Sequence, residues 1–198
     1  MRPCLTSFLT AAVVLVSAGL GAQEALPDFR HDSDVLARLS YDSSPNVQGE
    51  HICFAVSRDG DYRLVRLVNV VNDLLPVRLQ GKMTKEQLEQ LKALLGSSEF
   101  RSQTGNHGGL IREEAESFGA EIPAPGRRRE DGNGAQRLQW LNADGERPFP
   151  SSVAKVVKWL KQFDPKGGKS FEYAEFPEVC PSGGLRLLQP SVAENLHP

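Results

Sequence analysis

"HICFAVSRDGDYRLVRLV", residues 51–68, decides the fold. Ile52, Phe54 and Val56 alternate with His51, Cys53 and Ala55, which is the period of a β-strand. Arg58-Asp59-Gly60-Asp61 comes next, and an Asp-Gly pair between two apolar runs signals a hairpin turn. The return strand, Tyr62 to Val70, carries Leu64, Val65, Leu67 and Val68. On alternation, the Cys53 side chain points away from the face of Ile52 and Phe54.

A third strand follows at "PVRLQGKM", residues 76–83, with Val77, Leu79 and Met83 on one side. "TKEQLEQLKALLG", residues 84–96, then reads as a helix. Thr84 is its cap, Gln87 completes a capping box and Gly96 is its stop. Leu88, Leu91, Leu94 and Leu95 form one apolar face, each contributing roughly 1.5–3 kcal/mol when fully buried. Residues 97–112 read as a glycine-bearing loop. A second hairpin has Phe118, Ala120 and Ile122 on one strand and Leu138 and Trp140 on the other. Its connection, "PAPGRRREDGNGA" at 123–135, is polar throughout. "PFPSSVAKVVKWLKQFDP", residues 148–165, is a second helix, capped by Ser151 or Ser152 and ended by Pro165. Val153, Val156, Val157, Leu160 and Phe163 make its buried face. The order βββα-ββα, without βαβ alternation, predicts an α+β fold. It has an antiparallel sheet of about five strands, two amphipathic helices and an extended C-terminal strap.

Residues 1–22 have the layout of a secretory signal peptide: Arg2, an apolar run from Phe8 to Val16, then small residues from Ser17 to Ala22. The run is too short to span a bilayer. Residues 23–49 read as a polar linker or loosely packed segment, in which Val35, Leu36 and Leu39 admit a short helix over Ser33–Ser40. A single domain, strap included, is expected over residues 50–192, with a free tail at 193–198. Arg2 and Cys4 leave with the signal, which moves the net charge from −2 to −3. Such a balance gives no electrostatic case for nucleic acid or an anionic membrane. It leaves an unknown protein or envelope component as the expected partner, with no membrane span after signal removal.

Export places Cys53 and Cys180 in an oxidising compartment, where two cysteines allow one intramolecular pairing. On the chain-entropy model, closing so long a loop constrains the unfolded state by about 5 kcal/mol. Cys180 stands between Pro177 and Pro181, ahead of Gly183-Gly184 and Leu185, Leu187 and Leu188. That stretch reads as a strap stapled to the first hairpin.

Chemistry-bearing motifs are sparse. "NHGGL" at 106–110 has the flavour of an oxyanion loop, but no G-x-S-x-G accompanies it. The histidines at 31, 51, 107 and 197 lack the i, i+3 or i+4 partners of a helical metal site. "DGD" at 59–61 and "DGNG" at 131–134 read as turn chemistry. Arg127, Arg128 and Arg129 are followed at once by Glu130 and Asp131, which makes them a solvated loop tip and a candidate interaction loop. No catalytic residue, metal ligand or cofactor is assigned.

Asp59, Gly60, Tyr62, Gly81, Met83, Thr84, Glu86, Leu88, Leu91, Leu94, Leu95 and Phe100 together carry a resemblance. Over about residues 50–100 the chain resembles secreted proteins of uncharacterised function typical of acidobacteria and related soil bacteria. The resemblance implies a small secreted α+β module and brings no catalytic residues. The expected function is therefore an exported, non-catalytic binding domain. The rivals are a small secreted hydrolase using His107 with Glu113 or Glu114, and an enzyme inhibitor inserting the loop at 123–134. If the N-terminal segment is a signal, the mature chain begins between Gly19 and Glu24. Intact mass of exported protein checks this, and a mass retaining Met1 to Val16 overturns it.

Overall fold

The computed structural model describes Phe29 and residues 34–43, 49–70, 73–108, 115–124, 135–143 and 147–171. The chain runs through β1 (Val35–Asp42), β2 (Glu50–Ser57), β3 (Asp61–Val70) and β4 (Asp73–Lys82), then α1 (Lys85–Gly96) and α2 (Ser98–Arg101). It continues as β5 (Gly105–His107), β6 (Ala115–Ile122), β7 (Gln136–Ala143), α3 (Ser151–Gln162) and β8 (Lys169–Ser170). The strands form one sheet in the order β5-β7-β6-β1-β2-β3-β4-β8. Every pairing is antiparallel except β5 with β7. The α+β class thus holds, while the sheet has eight strands among the described residues rather than about five.

Both expected hairpins are present. Phe54 lies opposite Leu64, and Phe118 and Ala120 lie opposite Trp140 and Leu138. The Asp59-Gly60 turn closes the first, with Gly60 at φ +91°, where a side chain is strained. A Cβ there would also come within 3.2 Å of Leu88 Cδ2, because the turn packs under α1. The Thr84–Gln87 capping box forms as the sequence demands. Gly96, however, is the last helical residue and does not act as a left-handed stop. Ser97 ends α1 and caps α2 in turn, its hydroxyl accepting from the Phe100 N–H. At α3 neither serine is the cap: Pro150 holds that position, with no side-chain hydrogen bond.

The main correction concerns residues 35–42. They form a strand, not a short helix in a loose segment, and β1 lies in the middle of the sheet between β2 and β6. A register shift between Val35 and Ala37 marks a bulge. It lets Leu36 and Ala37 both turn to the helix side while Val35 faces the other way.

The three helices among the described residues lie on one face of the sheet. Ile52, Phe54 and Val56 of β2, Leu39 and Tyr41 of β1, and Leu64 of β3 meet Leu91 of α1 and Val156 and Leu160 of α3. Phe54 is the hub, with ring contacts to Tyr62, Trp159 and Phe163 at 6.2, 5.8 and 5.0 Å. The opposite face carries Val35, Cys53, Ala55, Val65 and Leu67, joined by Phe29 and Phe171. Cys53 therefore points where its alternation requires, away from the helices.

One side chain ties the C-terminal end of α3 to the sheet. Arg66 of β3 donates to the carbonyls of Leu160, Lys161 and Phe163 at 3.1, 3.2 and 3.3 Å. Its Nε lies 3.3 Å from Glu50 Oε1. The guanidinium thus satisfies carbonyls that a helix end leaves orphaned, and sits at the negative end of the dipole. Arg66→Ala should lower stability by about 2 kcal/mol, since it strands half-buried acceptors. Urea denaturation of the variant against wild type checks this, and an unchanged midpoint would refute the anchoring role.

Candidate functional site

Helices α1 and α3 run antiparallel across the sheet. Gln87, near the start of α1, donates to the carbonyl of Asp164, just past the end of α3, at 3.5 Å. At the other end of the seam α2 packs against both helices. The result is a groove of about 380 Å³, lined by Gln90, Ala93, Leu94, Ser97, Glu99, Ser152, Lys155 and Trp159.

The lining follows from helix periodicity. Gln90, Ala93, Leu94 and Ser97 recur at spacings of three and four along α1, and Ser152, Lys155 and Trp159 do so along α3. Each set lies beside the stripe that faces the sheet. Trp159 is half-buried, stacked on Phe163 with centroids 5.1 Å apart and meeting Phe54 edge to face. Its ring is therefore fixed before anything binds. Ala93, Leu94 and Trp159 make the floor apolar, while Gln90, Ser97, Glu99 and Lys155 supply donors and acceptors of both signs around it. Sequence reasoning identified Leu94 as a core leucine and missed the groove, because the groove exists only once the two helices are docked.

A polar cluster occupies the other flank of α3. The Tyr41 hydroxyl donates to Glu116 Oε1 at 2.8 Å, and Lys161 Nζ donates to the Tyr41 hydroxyl oxygen at 3.5 Å and lies 5.0 Å from the Tyr41 ring centroid. Burial pushes the Tyr41 phenol well above its ordinary range, reinforced by the Glu116 carboxylate as acceptor and negative neighbour and by Glu50. Here the phenol is a donor that holds β1, β6 and α3 together.

On the opposite face, Asp42 accepts from His51 Nδ1 and from Ser117 Oγ, the latter at 3.3 Å. The carboxylate stands between the serine and the histidine. A histidine acting as base for a serine nucleophile must touch the hydroxyl itself, so this order is not a nucleophile relay.

His107 lies on β5. Its ring stacks on Trp140 at 4.5 Å, and Nε2 donates to the Thr104 carbonyl at 2.8 Å. Gly108 has a steric reason to be glycine, since a Cβ would lie 2.7 Å from Leu141 Cβ. Glu113, Glu114, Cys180 and Arg127–Arg129 lie outside the described residues, as do Gly109 and Leu110 of the "NHGGL" string. Among the described residues, no three His, Cys, Asp or Glu side chains gather as a metal site, and no helix is long and apolar enough to cross a membrane. No protein-family model and no curated protein matches the chain.

The Tyr41 phenol has a consequence for stability at high pH. A phenol whose pKa is raised by folding stabilises fully below the unfolded value of about 10, and that contribution is lost as pH rises toward the folded value. Stability should decline above pH ~10, and less steeply in Tyr41→Phe. Tyr62, raised by burial, contributes to the remaining decline. Urea midpoints between pH 8 and 11 measure both slopes; identical slopes would exclude Tyr41 as a source.

Proposed function

We propose that this chain is an exported, non-catalytic binding domain that engages a protein partner through the α1–α3 groove. The observation that carries the reading is the groove itself: a rigid aromatic at the base, small and aliphatic side chains beside it, and a polar rim of mixed charge. An apolar centre with a polar rim is the anatomy of a protein–protein contact, and a pre-ordered tryptophan is the type of residue that dominates such contacts. Glu99 and Lys155 on one rim favour neither a polyanion nor a polycation. Export is supported by the charged start, apolar run and small residues of the first 22 positions.

The experiment uses the exported-protein fraction of the organism passed over immobilised chain. Ala93→Arg fills the groove from an exposed helix position and should leave the melting temperature unchanged. Lys85→Glu, at the far end of α1, is the control. Captured protein should fall at least about tenfold with Ala93→Arg, the equivalent of ~1.4 kcal/mol, and stay unchanged with Lys85→Glu. Capture that ignores Ala93→Arg overturns the reading.

A further inference from the structure

We infer, taking the groove as the place where the partner docks, that its end at the start of α3 is a carboxylate-binding site, which receives an acidic side chain of that partner. Helix α3 begins without the protection a helix start ordinarily has. Pro150 stands at the N-cap position, no side chain there accepts a hydrogen bond, and the first turn holds no acidic residue. The first amide to find an acceptor is that of Ala154, which donates to the Pro150 carbonyl at 2.8 Å. The N–H groups of Ser151, Ser152 and Val153 have no acceptor among the described residues, as at any uncapped helix start. They lie at the positive end of the helix dipole.

Ser152 points to a ligand independently. It lines the groove and is only 6% exposed, yet its hydroxyl has no hydrogen-bond partner among the described residues. So buried a polar group is unfavourable unless an occupant of the groove satisfies it. Lys155 follows one turn later on the same side of α3, exposed and without an ion-pair partner among the described residues. Backbone N–H groups, a hydroxyl and an ammonium thus border one end of the groove, and the oxygens of an anion match all three.

The rest of the lining narrows the anion to a carboxylate beside an apolar group. Glu99 reaches the same groove from α2 and repels negative charge, which costs a phosphate dianion about twice what it costs a carboxylate. Trp159 stands seven residues beyond Ser152, about 10 Å along the helix. Ala93 and Leu94 of α1 line the groove beside it. An acidic and an apolar side chain one helical turn apart, about 5–6 Å at Cβ, span that distance once their own lengths are added. The occupant is therefore a protein segment with an acid one turn from a large apolar residue.

The test uses the full chain and two small probes, phenylvalerate and its neutral amide, phenylvaleramide. Each carries a ring for Trp159, and only the first carries a carboxylate. Fragments of this size bind in the millimolar range, which amide NMR shifts can follow. Phenylvalerate should move the amide signals of Ser151, Ser152 and Val153 together with the Trp159 indole, and bind at least about tenfold more tightly than phenylvaleramide. Lys155→Gln should cut that preference to about threefold or less, and Ser152→Ala should weaken phenylvalerate about threefold. Lys158→Gln, an exposed lysine of α3 outside the groove, should leave it unchanged. Equal binding of the two probes, shifts confined to Trp159, no shift with either probe, or equal loss in both lysine variants overturns the carboxylate site. The groove as partner site falls on a separate result, capture that ignores Ala93→Arg.

Discussion

The position of β2, paired on both edges and buried on both faces, sets conditions that the rest of the molecule has to meet. Its helix-facing residues Ile52, Phe54 and Val56 require an apolar layer above them, and α1 and α3 supply it with leucines and valines. Its other residues, Cys53 and Ala55, are equally sealed from water. A strand solvated on one side would tolerate loose packing there; this one does not. The aromatic contacts around Phe54 and the Arg66 anchor both follow from the need to seat α3 over that strand.

The two faces are built on different principles. The helix side is a conventional apolar core, non-directional and tolerant of rearrangement. The other side contains a fully buried guanidinium in ion-pair distance of a carboxylate, with a backbone carbonyl as its acceptor. Such an arrangement gains little net stability, because removing two charges from water costs nearly as much as their attraction returns. Its effect is directional. Arg38 on β1 meets Glu121 on β6, the strand opposite it in register, so a slip by one residue would strand both charges.

Legibility in the sequence tracked how strictly each segment obeyed one period. The Asp-Gly hairpin, the Phe118–Trp140 hairpin and the Thr84 helix were readable because alternation, turn chemistry and capping agree there. β1 was not, because "VLARLSYD" carries a bulge and a buried arginine. Its apolar residues at 35, 36 and 39 mimic a helical face, and Arg38 looks solvent-bound. β5 and β8 are three and two residues long, and α2 is four, too short for any period to register. Of the candidate site, Ala93 and Lys155 are exposed helix positions outside both apolar stripes, which no periodic signal marks. Only the antiparallel docking of α1 against α3 makes them neighbours of Trp159.

The place of β1 also governs the order in which the molecule can assemble. β1 to β4 form a meander of sequence neighbours, whose local pairings are available early. The β6–β7 hairpin is equally local, but among the described residues it joins β1–β4 only along β1, where Tyr41 lies opposite Phe118, a residue well over a third of the chain away. α3 must then return over the completed sheet to reach Arg66. The long-range step is thus the docking of two preformed hairpin units at one seam. A ribosome that releases the chain from its N-terminus leaves the outer edge of β1 unpaired until β6 emerges. For that interval the molecule carries an open sheet edge, the type of surface on which chains mispair with one another.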